Sequence, residues 1–315
     1  MVAADAEWSE IEAVLLGHPG AGEGVSRSRA ATVVAVWGPA GAPGRTSMAI
    51  CLAAELAAAG ATVALADVDT HNGSIAPALG LLDEAPGFAA ACRLAGAQAL
   101  TQAELERIGQ RYLTARGSFW VLTGIGRPSR WPELSGERVT AAITVCRDWV
   151  DFVILDTGAS LENDEEISSD LFAPRRNGAT IAALRAADEV MAVGAADPVG
   201  LSRFLRAHVD LRETIDTDRV TVVMNKVRAS AVGPGASGQV RQALQRFGGI
   251  TSPVLVPHDQ AAFDAAILTG RTIVDVAPKS TARLAVAGLV RDHLLPQPAP
   301  VVRRSWRRRG AVLPT

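Results

Sequence analysis

The chain has 315 residues, 48% of them hydrophobic, a formal net charge of -2, and only one Tyr and seven Phe. A chain of this length can bury a full core. Its apolar residues come as Ala, Val and Leu stretches broken by charge or Gly, and no run reaches the roughly 18 to 20 residues of a membrane helix. The acidic start MVAADAEWSEIEAV lacks the basic region of a secretory signal, so a cytoplasmic location is expected. Cys51, Cys92 and Cys146 are odd in number, far apart and set in helix-like surroundings. They fit small core residues better than a disulfide framework or a zinc motif.

In chain order, residues 1–30 hold one short helical stretch, Ser9 to Leu16, followed by HPGAGEGVSRSRA, a linker composition. They are read as a partly disordered extension. From Ala31 short apolar runs alternate with longer Ala/Leu-rich segments: ATVVAVW, then RTSMAICLAAELAAAG, then TVALADV. Further strands are predicted at FWVLTG (119–124), DFVILD (151–156), EVMAVGA (189–195), RVTVVMN (219–225) and SPVLVP (252–257), with helical segments between most of them. This alternation predicts βαβ units, and continuous apolar strands predict burial on both faces. The expected fold is α/β: a doubly wound, mostly parallel sheet flanked by helices on both faces. No composition break divides residues 31–296, which are read as one domain. The last predicted helix, Thr281 to Leu294, is stopped by PQPAP, which leads into an Arg-rich tail over 297–315.

Between the first strand and the first helix lies GPAGAPGRTS, Gly38 to Ser47. A phosphate-binding P-loop needs small residues that let backbone amides turn toward phosphate oxygens, a cation for the β and γ charges, and a hydroxyl for magnesium at the helix start. Gly41, Ala42 and Gly44 are the small residues, Arg45 the cation and Thr46 the hydroxyl. Two features depart from the usual loop. Arg45 stands where a lysine is usual, and its planar, longer head cannot take over a lysine's geometry unchanged. Pro43 has no amide hydrogen to offer. The chain holds two Lys against 29 Arg, so Arg45 also fits a general preference for Arg.

The strand TVALA runs into Asp67-Val68-Asp69, and FVILD ends on Asp156 in the manner of a Walker B strand. Carboxylates at the C-terminal ends of parallel strands face the crevice where open α/β sheets bind ligands. Asp156 would there hold magnesium through a water. One Asp after a strand is usually a cap or turn residue. Three in this order after a P-loop point to a magnesium-nucleotide site.

This order of motifs resembles the MinD/ParA group of P-loop ATPases over roughly residues 31–295, and within it the CpaE/TadZ-like proteins of polar localisation and Tad pilus assembly. That group's loop reads KGGxGK(S/T), which puts Ala40 at its signature lysine, Arg45 at its loop lysine and Thr46 at the magnesium ligand. The resemblance implies that ATP and Mg2+ are the cofactors. It implies that Ser47 touches the α-phosphate, that Asp69 positions or activates the attacking water, and that Asp67 and Asp156 are outer-shell magnesium residues. It also implies that Asn225 reads adenine and that the loop carrying Pro257 and Asp259 closes over the base. An Asn at a strand end is as often a turn former.

In the group the signature lysine reaches across an ATP-bound dimer, which Ala40 cannot do. Arg175 and Arg176, after the acidic segment LENDEEISSD, are candidate replacements, though a solvated basic turn suits them at least as well. In the tail, Arg303, Arg304, Arg307, Arg308 and Arg309 surround Trp306, a composition suited to an anionic membrane surface or nucleic-acid phosphates. The resemblance favours lipid over nucleic acid, and a solvated tail is the plainer reading. The expected function is a nucleotide-dependent positioning or assembly factor, an ATPase acting as a homodimer with a partner from a pilus, septum or chromosome-partition machine. Ala40, Pro43 and Arg45 keep a second reading open, a non-hydrolysing scaffold working through protein contacts.

Overall fold

A computed structural model describes residues 30–81, 86–162 and 175–295. The helical stretch Ser9 to Leu16, residues 163–170 of the acidic segment and the Arg-rich tail lie outside the described residues.

Eight strands form one sheet: β1 (Thr32–Trp37), β2 (Val63–Asp67), β3 (Gln110–Thr114), β4 (Gly117–Leu122), β5 (Phe152–Asp156), β6 (Glu189–Ala195), β7 (Val220–Val227) and β8 (Val254–Pro257). Their order is β3-β4-β2-β5-β1-β6-β7-β8. Every neighbouring pair is parallel except β3 and β4. The principal helices are α1 (Arg45–Ala58), α2 (Gly87–Gly96), α3 (Gly136–Trp149), α4 (Gly178–Ala186), α5 (Pro198–Thr214), α6 (Ala236–Gly248), α7 (Gln260–Thr269) and α8 (Thr281–Leu289). The expected doubly wound, mostly parallel α/β sheet is therefore the fold.

Side chains alternate across a strand, so each strand feeds two cores. In β1, Val33, Ala35 and Trp37 enter the core that also holds α2, α3 and α4 side chains. Val34 and Val36 enter the opposite core with Met48, Leu52 and Leu56 of α1 and Val286 of α8. This two-sided burial is why the strands read as continuous apolar runs.

Strand β3 is not among the strands predicted from the sequence. Its exposed Arg111 and Leu113 flank buried Tyr112, which is the alternation of an edge strand with one wet face. It lies antiparallel on β4 through the short Ala115-Arg116 connection. The last helix also differs: α8 ends at Leu289, and Val290–Leu294 continue as a π-helical turn. The sheet's middle strand, β1, has β5 on one side and β6 on the other, so the chain passes to both sides of the strand that leads into the Gly38–Ser47 loop. Ligands of open α/β sheets bind at such a reversal.

Candidate functional site

The loop from β1 to α1 takes backbone conformations that most residues avoid. Gly41, Ala42 and Gly44 have φ of 110°, 53° and 98°, left-handed conformations that let the backbone turn sharply on either side of Pro43. Glycine at 44 is also required by space, because a Cβ there would lie 2.5 Å from Asn225 Nδ2. Gly44 caps α1 with no side-chain hydrogen bond to the first turn, which contains no acidic residue. Helix-start amides without a side-chain partner suit an anion.

Arg45, the first residue of α1, folds its guanidinium back toward the end of β1. Its Nε donates to the Thr157 carbonyl at 3.1 Å, and Nη1 donates to those of Gly38 and Pro39 at 3.1 and 3.4 Å. Its Nη2 lies 3.4 Å from Asp69 Oδ2. Thr46 Oγ1 donates to Asp156 Oδ2 at 2.6 Å and lies 3.2 Å from Ser74 Oγ.

The carboxylates meet because β2 and β5 are paired neighbours whose register sets Asp67 opposite Asp156. Asp67 accepts the amides of Asp69 and Ile75 at 3.2 and 3.1 Å. Asp69 Oδ1 accepts those of His71 and Asn72 at 2.8 and 3.0 Å. These bonds shape the turn after β2. Asp156 Oδ1 is buried and, among the described residues, has no hydrogen-bond partner. Burial pushes the Asp67 carboxyl up to about 6, with the Ile75 amide pulling against it. Burial, and then the neighbouring Asp67 charge, raises Asp156 well above the usual carboxylate range. Two buried acids facing each other disfavour their shared ionisation, and a cation would reverse that.

The loop residues, Asp69 and Ser74 line a cleft of about 510 Å³ together with Asn225, Lys226, Pro257, Asp259 and Phe263. Asn225 is buried beneath the loop: its Nδ2 donates to the Pro43 carbonyl at 2.9 Å and its Oδ1 accepts the Lys226 amide at 2.8 Å. Pro257 ends β8, and Asp259 caps α7 through the Ala262 amide while accepting a hydrogen bond from Ser280. The structure thus brings Gly41, Ala42, Gly44, Arg45, Thr46, Ser47, Asp69, Asn225, Pro257 and Asp259 to one cleft. Asp67 and Asp156 lie buried behind Thr46. Ala40 is exposed on the cleft wall. Arg175 and Arg176 are not among the cleft-lining residues, and the Arg176 carbonyl accepts the Thr70 hydroxyl at 3.0 Å.

Lys226, Ser74, Asn72 and Phe263 are cleft residues not predicted from the sequence. The tie of Ser74 to Thr46 depends on a turn shaped by carboxylates, for which a single sequence carries no pattern. Lys226 had a signal, since it follows Asn225 directly and is one of two lysines in the chain. Among the described residues, no cluster of three or more His, Cys, Asp or Glu side chains is placed to hold a metal, and no helix is long and apolar enough to cross a membrane.

No protein-family model and no curated protein sequence matches the chain. Solved structures do. A ParA family ATPase from Chlorobium tepidum TLS is 18% identical, with a TM-score of 0.66 over 82% of this chain and 98% of that one. The septum site-determining protein MinD from Pyrococcus horikoshii OT3, complexed with Mg-ADP, is 16% identical, with a TM-score of 0.62 over 83% and 95%. The MinC:MinD cell division complex of Aquifex aeolicus gives 17% identity and a TM-score of 0.59 over 85% and 98%. Identities this low speak to architecture, and in architecture the chain has the fold of the MinD/ParA P-loop ATPases.

Proposed function

We propose that this chain binds ATP with magnesium at the Gly41–Ser47 loop and acts as a MinD/ParA-like ATPase that positions or assembles a larger machine. The CpaE/TadZ-like motif order points to a Tad pilus or secretion apparatus, with the septum or a partitioning chromosome as the other cargoes of this kind. The observation that carries the reading is Asp156 Oδ1, buried without a partner beside the Thr46 hydroxyl at the foot of a helix with no side-chain cap. A buried carboxylate oxygen without a donor is costly, and a hydrated cation supplies donors. Hydroxyl and carboxylate oxygens are the hard donors magnesium prefers. Thr46 would ligate the ion, with Asp67 and Asp156 holding its waters.

Bound magnesium supplies positive charge against the phosphate oxygens. The amides after Pro43 and the Arg45 guanidinium bind the phosphate chain, with Ser47 at the α-phosphate. Asp69 is already oriented by the His71 and Asn72 amides through Oδ1. Its Oδ2 accepts from an attacking water once Arg45 turns from it to the phosphates. The partners on this reading are a second copy of the chain and a component of the positioned machine, as MinC is for MinD in the similar complex. The Arg303–Arg309 tail would supply contact with an anionic membrane surface at the inner face of the cell membrane.

One observation favours the second reading, a scaffold that does not hydrolyse. Arg45 is already engaged by carbonyls and by Asp69. Measuring ATP binding and turnover for the wild type, Arg45→Ala and Asp69→Ala separates the two. The ATPase reading expects binding to fall in the first, roughly tenfold or more for one lost charge-assisted contact. It expects turnover alone to fall in the second. A wild type that binds ATP without turning it over, with lipid or DNA present, establishes the scaffold.

A further inference from the structure

Neither cation expected of the loop faces the cleft freely. Ala40 has no charge, and the Arg45 guanidinium is bound by carbonyls and Asp69. The cleft nevertheless has a further cation. Lys226 lines the cleft and donates from Nζ to the Ala42 carbonyl at 2.8 Å. Among the described residues no carboxylate pairs with this ammonium. Two of its three donors remain for a ligand. Lys226 has φ of 61°, a left-handed conformation that costs a non-glycine residue, and it lies where the β7–β8 register is irregular. Strain at a residue on a ligand cleft points to function.

Asn225 completes the arrangement. Its amide joins the Pro43 carbonyl to the Lys226 backbone, one bond from each end. In a planar trans peptide the C=O and the following N–H point opposite ways. Holding the Pro43 carbonyl on Asn225 therefore turns the Gly44 amide to the other side, and Gly44 at φ 98° is what lets the chain follow.

We propose that the end of β7 is a clamp on the phosphate loop, in which Asn225 positions the loop and Lys226 is the cation that binds the polyphosphate of a nucleoside di- or triphosphate. This rests on the nucleotide reading and adds, to the base recognition expected of Asn225, a role in shaping the phosphate end of the site. Lys226 supplies the charge that Ala40 lacks and that Arg45 presents only on leaving its carbonyl and Asp69 partners.

The test has a ligand-free arm and a binding arm. In ligand-free protein, hydrogen exchange of the peptide spanning residues 38–47 should quicken in Asn225→Ala. Unchanged exchange overturns the clamp whatever the protein binds. In the second arm Mg-ATP affinity should fall roughly tenfold in Lys226→Met, the scale of one charge-assisted hydrogen bond. Lys226→Gly should bind as poorly as Lys226→Met while melting at or above the wild-type temperature, because glycine accepts φ of 61°. Wild-type affinity in Lys226→Met overturns the cation role. A wild type that binds no nucleotide removes the nucleotide reading and the Lys226 role with it, while the exchange result still decides the clamp.

Discussion

Asp156 shows how a single residue can oppose the fold that holds it. Its Oδ2 accepts the Thr46 hydroxyl, its Oδ1 has no partner, and burial together with the Asp67 charge raises its pKa. A carboxyl whose folded pKa is raised stabilises the protein below its unfolded pKa, and that contribution is lost as pH rises through the folded value. For Asp67 the loss runs from its ordinary 3.8 to about 6. Asp156→Asn keeps an acceptor for Thr46 and removes one of the two facing charges. Ligand-free Asp156→Asn should therefore melt about 1–2 °C above wild type at pH 8, the effect of ~1 kcal/mol in a protein of this size. The difference should shrink toward pH 5. Calorimetry at both pH values checks this, and a variant less stable than wild type at pH 8 refutes it. The positions of Asp67 and Asp156 at strand ends were legible in the sequence, because apolar runs that stop on an acid are visible there. Their mutual burial was not, since it depends on which strands are neighbours.

Among the elements, α8 is held to α1 by more than apolar contact. Arg283 near the start of α8 donates from Nε and Nη2 to both carboxylate oxygens of Glu55 at 2.5 and 2.9 Å, and both side chains are about nine-tenths buried (11% and 6% exposed). A buried pair adds little over a packed apolar pair, yet losing one partner strands the other charge. Arg283→Ala should lower the unfolding free energy by about 3–5 kcal/mol. Urea denaturation measures this, and a loss under ~1 kcal/mol would show the pair to be solvated instead. Since α1 carries Arg45 and Thr46, this contact also braces the helix that starts at the phosphate loop. Nothing local in the sequence pairs residues 55 and 283, just as nothing in QRYLT marks β3. An edge strand with one exposed face lacks the unbroken apolar run by which the central strands were found.

For the molecule as a whole, the exposed, uncharged Ala40 bears on assembly. If the chain is a homodimer, Ala40 offers no charge by which ATP in one copy could hold the other. Sedimentation velocity should therefore show the same association state with and without Mg-ATP, while Ala40→Lys should gain ATP-dependent self-association. A wild type that dimerises only with ATP would show that another residue bridges the copies. By itself the sequence determined the α/β class, the loop between β1 and α1, and the acids after β2 and β5, because these follow from local periodicity and from which residue types a phosphate or a magnesium ion requires. Tertiary structure alone decided that β5 separates β1 from β2, that Asp67 faces Asp156, that Arg45 turns inward to Thr157 and Asp69, and that Asn225 and Lys226 rest on the loop from 182 and 184 residues away. Each of these is a contact between segments distant in the chain, set by strand order and register, and such pairings leave no periodic trace in a single sequence.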